Sequence, residues 1–308
     1  MDITLRQLRY FVALADERSF RRAAEKVNIT QPALSLQIKE LEVRLGTKLV
    51  ERLPRDIRLT RSGEITLVRA QNLLTDMREL ERSVRLQSGL DGQLLLGVIP
   101  TIAPYLLPAA LTNIRARITT LEVRVHEAQT EVLMQALHRG TIDAAIISPP
   151  FDKDGFDQID LFEDRFLLAG SREKLEQWGL SPGRPKPVDI PPDRLLMLDQ
   201  GHCLADQALD ICGMTRQQID LGASSLGTLS GLVAEGLGIT FLPEIALRAE
   251  AGNNRLSLLR FATPEPNRKI VLVRRSGGDS DEWFTELADI LRNAGSELLG
   301  FARQHIAP

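Results

Sequence analysis

Cysteine is scarce in this chain of 308 residues: it has two, Cys203 and Cys212. A pair of thiols excludes a disulfide framework, and without a Cys-x2-Cys spacing it gives no support to a zinc site. Long apolar runs are also absent. None reaches 18 residues, so no membrane span is expected. The N-terminal stretch MDITLRQLRYF lacks the apolar core and small-residue cleavage site of a secretory leader. The cytoplasm is therefore the expected compartment, where thiols are kept reduced and a disulfide is usually transient or redox-sensing. No nucleotide-binding glycine fingerprint, Gly-x-Ser-x-Gly elbow or His-Glu-x-x-His motif occurs. An enzyme is not the expected class, and neither a cofactor nor a metal is expected. The length still exceeds what one core usually serves, so two or more domains are anticipated.

The charge is unevenly placed. Residues 1–62 hold 13 basic and eight acidic side chains, a net +5, which leaves −8 for the remainder of a chain whose formal charge is −3. A basic head on an acidic body suits polyanion binding, because Lys and Arg release counterions when they meet phosphates.

Periodicity divides the head into short helices. Leu5, Leu8, Phe11, Val12 and Ala15 recur at helical spacing. Ser19 is an expected N-cap for a second helix with Phe20, Ala23, Ala24 and Val27 inward, and Asn28 ends it. Thr30-Gln31-Pro32 opens a third, with Ala33, Leu34, Ile38, Leu41 and Leu45 inward and Gly46 as its stop. Residues 48–52 and 57–61 read as two short strands around Pro54. From 62 to about 88 the chain is helical again. Ala70, Leu73, Met77, Leu80 and Val84 repeat at spacings of three and four, the pattern of a helix that pairs with another helix. Gly89, Asp91 and Gly92 suggest a hinge, and beyond it strands and helices alternate as in α/β units around a parallel sheet.

The head resembles the winged helix-turn-helix of LysR-type transcription regulators. The carrying residues, in order, are Leu8-Arg9-Tyr10-Phe11, Ser19-Phe20, Ala23-Ala24, Thr30-Gln31-Pro32-Ala33-Leu34-Ser35, Ile38, Leu41-Glu42, Leu45-Gly46, Leu49, Arg52 and Leu59-Thr60. Gly236-Leu237-Gly238-Ile239-Thr240-Phe241-Leu242-Pro243 is similar to a segment of the family's effector domain. The resemblance implies a winged helix-turn-helix over 1–61, a linker and dimerisation helix with its hinge over 62–90, and an α/β effector domain over 91–308. That domain would comprise two periplasmic-binding-protein-like subdomains, one of about 91–163 and 268–308 and the other of about 164–267. Double-stranded DNA, a second or fourth copy of the chain and RNA polymerase are the implied partners, with the protein cytoplasmic and at the nucleoid. Gln31, Pro32, Ser35, Gln37 and Lys39 would lie at the major groove, and Arg52, Arg55 and Arg58 of the wing would hold the backbone.

A narrower resemblance, to the hydrogen-peroxide-sensing branch of that family, rests on Asp199-Gln200-Gly201-His202-Cys203-Leu204-Ala205-Asp206-Gln207 followed by Cys212. It extends to Ile99-Pro100-Thr101, Pro104 to Pro108, His126-Glu127-Ala128-Gln129-Thr130 and Pro264-Glu265-Pro266-Asn267-Arg268. It implies Cys203 as the thiol attacked by peroxide and Cys212 as the resolving thiol, with Thr101, Thr130, His202, Asp206 and Arg268 around them. The attacking species is a thiolate. Cys203 begins an expected helix, whose N-terminus favours negative charge. Arg268 is expected to stabilise the thiolate, and the Thr101 and Thr130 hydroxyls to orient peroxide, which has two donors and four lone pairs. Nine helical residues advance about 13.5 Å, whereas a disulfide needs Cα atoms within about 7 Å. Oxidation would therefore refold the segment and alter DNA binding or the transcription of antioxidant genes. The chain departs from the branch at Ala205, where the branch carries arginine, and this is expected to leave Asp206 without a partner. The alternative reading is a regulator that takes a small anionic metabolite near Thr101, Thr130, Ser225 and Thr228, all at expected helix starts.

The basic head predicts DNA affinity that falls steeply with salt, by a slope in log affinity against log salt of about −0.9 per phosphate contact. Anisotropy titrations over a salt series check this, and equal affinity at low and high salt refutes it. Replacing Arg52 or Arg55 is expected to weaken all sequences alike, and replacing Gln31 or Ser35 to change base preference.

Overall fold

The computed structural model describes residues 3–52, 57–86, 92–180, 183–199, 201, 203–213, 222–250, 255–277 and 282–306, leaving out the side chains of 52, 78, 79 and 81–86. The chain forms two compact units, Met1–Val84 and Arg85–Pro308.

In the first unit, helices α1 (Leu5–Glu17), α2 (Phe20–Lys26) and α3 (Gln31–Leu45) close over Phe11, Leu14, Ala23, Ala24, Leu34, Ile38 and Leu41. Each helix begins at a hydroxyl that accepts a backbone N–H. Thr4 accepts from Gln7 in a reciprocal capping box, Ser19 from Arg22 and Thr30 from Ala33. Gly46 ends α3 at φ 70°, a left-handed conformation that glycine adopts without a steric cost. Ala33, expected inward, is exposed, because the first turn of α3 projects beyond the core.

The wing is shorter than expected. Strands β1 (Val50–Arg52) and β2 (Ile57–Leu59) pair antiparallel, with Glu51 opposite Arg58. The buried Glu42 carboxylate accepts the N–H groups of Leu49 and Val50 and so pins the wing to α3. Helix α4 (Arg61–Leu86) follows. Its apolar repeat is divided: Ala70 and Leu74 join the head core, whereas Leu73, Met77 and Leu80 are exposed. The side chain of Val84 and the expected hinge residues Gly89 and Asp91 lie outside the described residues.

The second unit is built on a mixed sheet rather than the expected parallel one. Strand β3 (Gly92–Val98) pairs in parallel with both β4 (Leu121–Glu127) and β5 (Ala144–Ile147). Helices α5 (Ala103–Arg117) and α6 (Thr130–His138) make the crossovers. The sixteen-residue strand β6 (Phe156–Ser171) then runs antiparallel to β11 (Asn267–Arg275), which also pairs antiparallel with β5. The far end of β6 pairs instead with β9 (Ile239–Pro243) and β10 (Leu256–Arg260). Because β6 outruns its first partner, it serves two strand groups, and the chain returns along β11. Such a crossing ribbon has to be antiparallel. Beside β9 lie the short parallel pair β7 (Met197–Leu198) and β8 (Gly222–Ala223) and the helices α8 (Cys203–Cys212) and α9 (Leu226–Ala234). Helix α7 (Arg172–Gln177) follows β6, and α10 (Leu247–Glu250) precedes β10. The last helix, α11 (Glu282–His305), buries Trp283, Phe284, Leu287 and Leu291 on the unit's core. Among the described residues no helix is long and apolar enough to cross a membrane.

The exposed stripe on α4 predicts self-association. Leu73→Asp combined with Leu80→Asp is expected to yield monomers or aggregates by light scattering, and an unchanged assembly places the contact elsewhere.

Candidate functional site

Helix α8 begins with one cysteine and ends with the other, and both are reduced. Its apolar face, Leu204, Ala205, Ala208, Leu209 and Cys212, is buried. Cys203 and Gln207, one turn apart, lie on a common face and fasten the helix to the loops that follow two parallel strands. The Cys203 Sγ atom lies 2.6 Å from the Thr130 hydroxyl, just after β4. The Gln207 amide donates to the Ser148 hydroxyl at 2.8 Å and to the Pro149 carbonyl at 2.7 Å, just after β5. Ser148 in turn donates to the Lys269 carbonyl. Gly201, at φ 94°, sits so close to the Gln129 amide that a Cβ there would strike it. Thr130 is the first residue of α6 and not its cap; Gln129 holds the cap position.

Thr101 follows β3, beside the Thr130 loop, because β3 and β4 are neighbouring parallel strands. The carboxyl ends of parallel strands are the usual place for a ligand in such sheets. The Thr101 hydroxyl accepts from Arg268 Nη1 at 2.8 Å, and its carbonyl accepts from Nη2 at 3.2 Å. Arg268 donates further to Asp164 Oδ2 through Nε at 3.0 Å and Nη2 at 2.9 Å. Both side chains of this pair are fully buried. Burial pushes the Asp164 carboxyl upward, while Arg268 and the N–H of Ile245 pull it back. Arg268, expected to stabilise the thiolate, directs its hydrogen bonds among the described residues to Thr101 and Asp164, because β6 places a buried carboxylate opposite it in register.

The two thiols are unlike. Cys203 is partly exposed at the start of α8, whereas Cys212 is buried at its end. Burial pushes the Cys212 thiol up to about 11. His202 lies outside the described residues. Asp206 is exposed but, contrary to expectation, not without an interaction partner. Ala205 is buried against the core. Tyr105 of α5 donates to Glu250 of α10 at 2.8 Å, and burial raises its phenol. Sequence reasoning assigned no role to Asp164, Ser148 or Gln207. The signals available were the charged run Glu163-Asp164-Arg165 between Phe162 and Phe166, just before the apolar half of β6, and a glutamine four residues after the cysteine.

On the head, Gln31, Pro32 and Lys39 are exposed on α3, and Ser35 and Gln37 are half-buried. Gln37 donates to Glu40 at 3.0 Å. Arg58 is exposed on β2, while Arg55 and the side chain of Arg52 lie outside the described residues.

Residues 5–64 match the model of the bacterial regulatory helix-turn-helix protein, lysR family, and residues 87–296 match that of the LysR substrate binding domain. The chain is 40% identical over 300 residues to a probable hydrogen peroxide-inducible genes activator of Streptomyces viridosporus, covering 96% of this chain and 95% of that one. It is similar to a full-length OxyR variant of Pseudomonas aeruginosa at TM-score 0.71 and 30% identity, covering 94% of this chain and 98% of the other. A cysteine-to-serine variant of Corynebacterium glutamicum OxyR with H2O2 bound matches at TM-score 0.64 and 34% identity, covering 99% and 96%.

The burial of Cys212 predicts slow alkylation in the native reduced protein. Its labelling by iodoacetamide is expected to stay low through pH 9 and to rise as pH approaches about 11, since only the thiolate reacts. Mass spectrometry reads this, and rapid Cys212 labelling at neutral pH contradicts the burial of that thiol.

Proposed function

This chain belongs to the LysR family of regulators, and we propose that within it the chain is a DNA-binding activator that senses hydrogen peroxide through Cys203 and Cys212. The observation that carries the reading is the Thr130–Cys203 contact of 2.6 Å beside a Thr101 whose hydroxyl already accepts from Arg268. That acceptance leaves the Thr101 proton to be donated. A peroxide at Cys203 needs a donor to its leaving oxygen and acceptors for its own protons. Thr101 supplies the first. Thr130 and the buried Gln207 Oε1, which has no partner among the described residues, supply the second.

The chemistry balances in two steps. The Cys203 thiolate attacks one peroxide oxygen, the S–O bond forms, the O–O bond breaks, and hydroxide leaves to take a proton as water. The Cys203 sulfenic acid then condenses with the Cys212 thiol, forming the S–S bond and releasing a second water. Both thiols are oxidised and one peroxide is reduced. Arg268 is a positioning residue that sets the Thr101 hydroxyl. His202 and Asp206 belong to the same proposed set of residues.

The helix makes the chemistry a switch. Nine helical steps separate the thiols by far more than a disulfide spans, so α8 must unwind and surrender its contacts to Thr130, Ser148 and Pro149. Closing a loop of about ten residues limits the unfolded ensemble by about 2–3 kcal/mol, enough to select between two local structures of similar energy. We take residues 91–163 with 268–308 as one effector subdomain and 164–267 as the other, so that α8 belongs to the second and is fastened to the first through Thr130, Ser148 and Pro149. The head, with Gln31, Pro32, Ser35, Gln37 and Lys39 at the bases and Arg52, Arg55 and Arg58 at the phosphates, then reports the change to DNA and RNA polymerase. Assembly into dimers and tetramers in the cytoplasm, at the nucleoid, belongs to the same reading.

In Cys212→Ser, a brief peroxide pulse is expected to leave a dimedone-reactive sulfenic acid on Cys203. In Cys203→Ser, Cys212 is expected to stay unmodified at the same dose. Thr101→Val is expected to slow oxidation of Cys203 by at least tenfold without slowing its alkylation, and Arg268→Lys to behave in the same way. Slowed alkylation in Arg268→Lys restores a direct action of the arginine on the thiol. If neither cysteine oxidises in the wild type, the metabolite reading replaces this one.

A further inference from the structure

The ribbon of β6 and β11 has two faces. Successive strand residues point to opposite sides. Asp164 and Arg268, a register pair, point toward Thr101, so Arg165 and Asn267, the adjoining register pair, point away from it. On that reverse side lies a crevice of about 540 Å3, within the size range of small-molecule sites, roughly 300–1,000 Å3. Four arginines line it: Arg165 on β6, Arg184 in the proline-rich loop, Arg260 at the end of β10 and Arg303 near the end of α11.

Three of these cations belong to a chain of alternating charges. Arg165 meets Glu265 at 2.8 Å, Glu265 meets Arg260 at 3.5 Å, Arg260 meets the buried Glu244 at 3.0 Å, and Glu244 meets Arg303 at 3.3 Å. The chain begins and ends on arginine and so carries one positive charge in excess. Its terminal members are 42% and 45% exposed, and each engages its carboxylate through a single nitrogen, leaving most of its N–H donors to the crevice. Arg184 is exposed and makes no ion pair among the described residues. Its loop is held in place by the bond from the Ala262 N–H to the Pro185 carbonyl. Glu163, exposed at the rim, offsets one charge. The Thr263 hydroxyl and the Asn267 amide add neutral donors. Three forked guanidiniums with uncommitted donors around one concavity match a group with several charged oxygens, since the planar fork pairs with carboxylate and phosphate in parallel bonds.

We propose that this crevice is a second ligand site, for a small molecule bearing a multivalent oxyanion, a phosphate ester or a polycarboxylate. The site is separate from the thiol site and does not depend on how that site is used. Its residues adjoin Asp164 and Arg268 in the chain, so its occupant bears on the ribbon that carries them.

The test is isothermal titration calorimetry of the full-length reduced protein with citrate and with inorganic pyrophosphate, at ionic strength held constant with sodium chloride. Saturable binding of one equivalent per chain with a sub-millimolar Kd is expected for at least one probe, and the stronger probe identifies the group. Arg184→Ala removes a cation that makes no ion pair among the described residues, so it is expected to weaken binding at least tenfold with an unchanged Tm. Arg303→Ala, in which Arg260 still pairs Glu244, is expected to do the same. Absence of saturable heat with both probes, or an affinity unchanged by Arg184→Ala, overturns the proposal; the second result assigns the anion to the basic head.

Discussion

The buried pair of Arg268 and Asp164 is the interaction on which the effector unit depends. It joins the two strands that pass between the unit's strand groups, and it does so where neither charge has access to water. Removing one partner from such a pair costs about 3–5 kcal/mol, because the other charge is left without compensation. The remaining bonds of the pair lead outward. Asp164 accepts the N–H of Ile245, after β9, and Arg268 holds both the hydroxyl and the carbonyl of Thr101, after β3. One ion pair therefore sets the ribbon register, the turn after β9 and the orientation of a hydroxyl in the candidate site. Among the described residues the arginine's hydrogen bonds reach Thr101 and Asp164.

The second constraint is length. A helix that starts and ends with cysteine keeps the two thiols apart for as long as it remains a helix, and its contacts decide how firmly it remains one. Two of those contacts, at Thr130 and at Ser148 with Pro149, reach across to loops after parallel strands. The rest is apolar burial, including that of Cys212 itself. The Cys212 thiol is thus enclosed by the same packing that holds the helix in place.

Much of this was legible in the chain itself. The helices of the head followed from apolar spacing and from Ser19, Thr30 and Gly46, because caps and amphipathic periods are local properties. Both ends of α8 were also legible, since the cysteines bracket a run of good helix formers. The sheet was legible only in part. Alternating strands and helices suggested parallel pairing, but the length of β6 and the antiparallel return of β11 depend on partners distant in sequence. The division of the α4 repeat, with Ala70 buried and Leu73 exposed, depended in the same way on what the head offers to each face.

The site divides along the same line. The sequence by itself determined which side chains are the candidates for the chemistry: two thiols nine residues apart, threonines after two strands, an arginine and a basic head. Only the tertiary structure decided what each one touches. It gave Arg268 to Asp164 and Thr101, brought Gln207 to Ser148, and turned Arg165 and Asn267 to the opposite face to build a second concavity. The physical reason is range. Helix caps and apolar periods act over three or four neighbouring residues, whereas the Arg268–Asp164 and Arg268–Thr101 bonds join positions 104 and 167 residues apart. Such bonds exist only once strand register has set the distance.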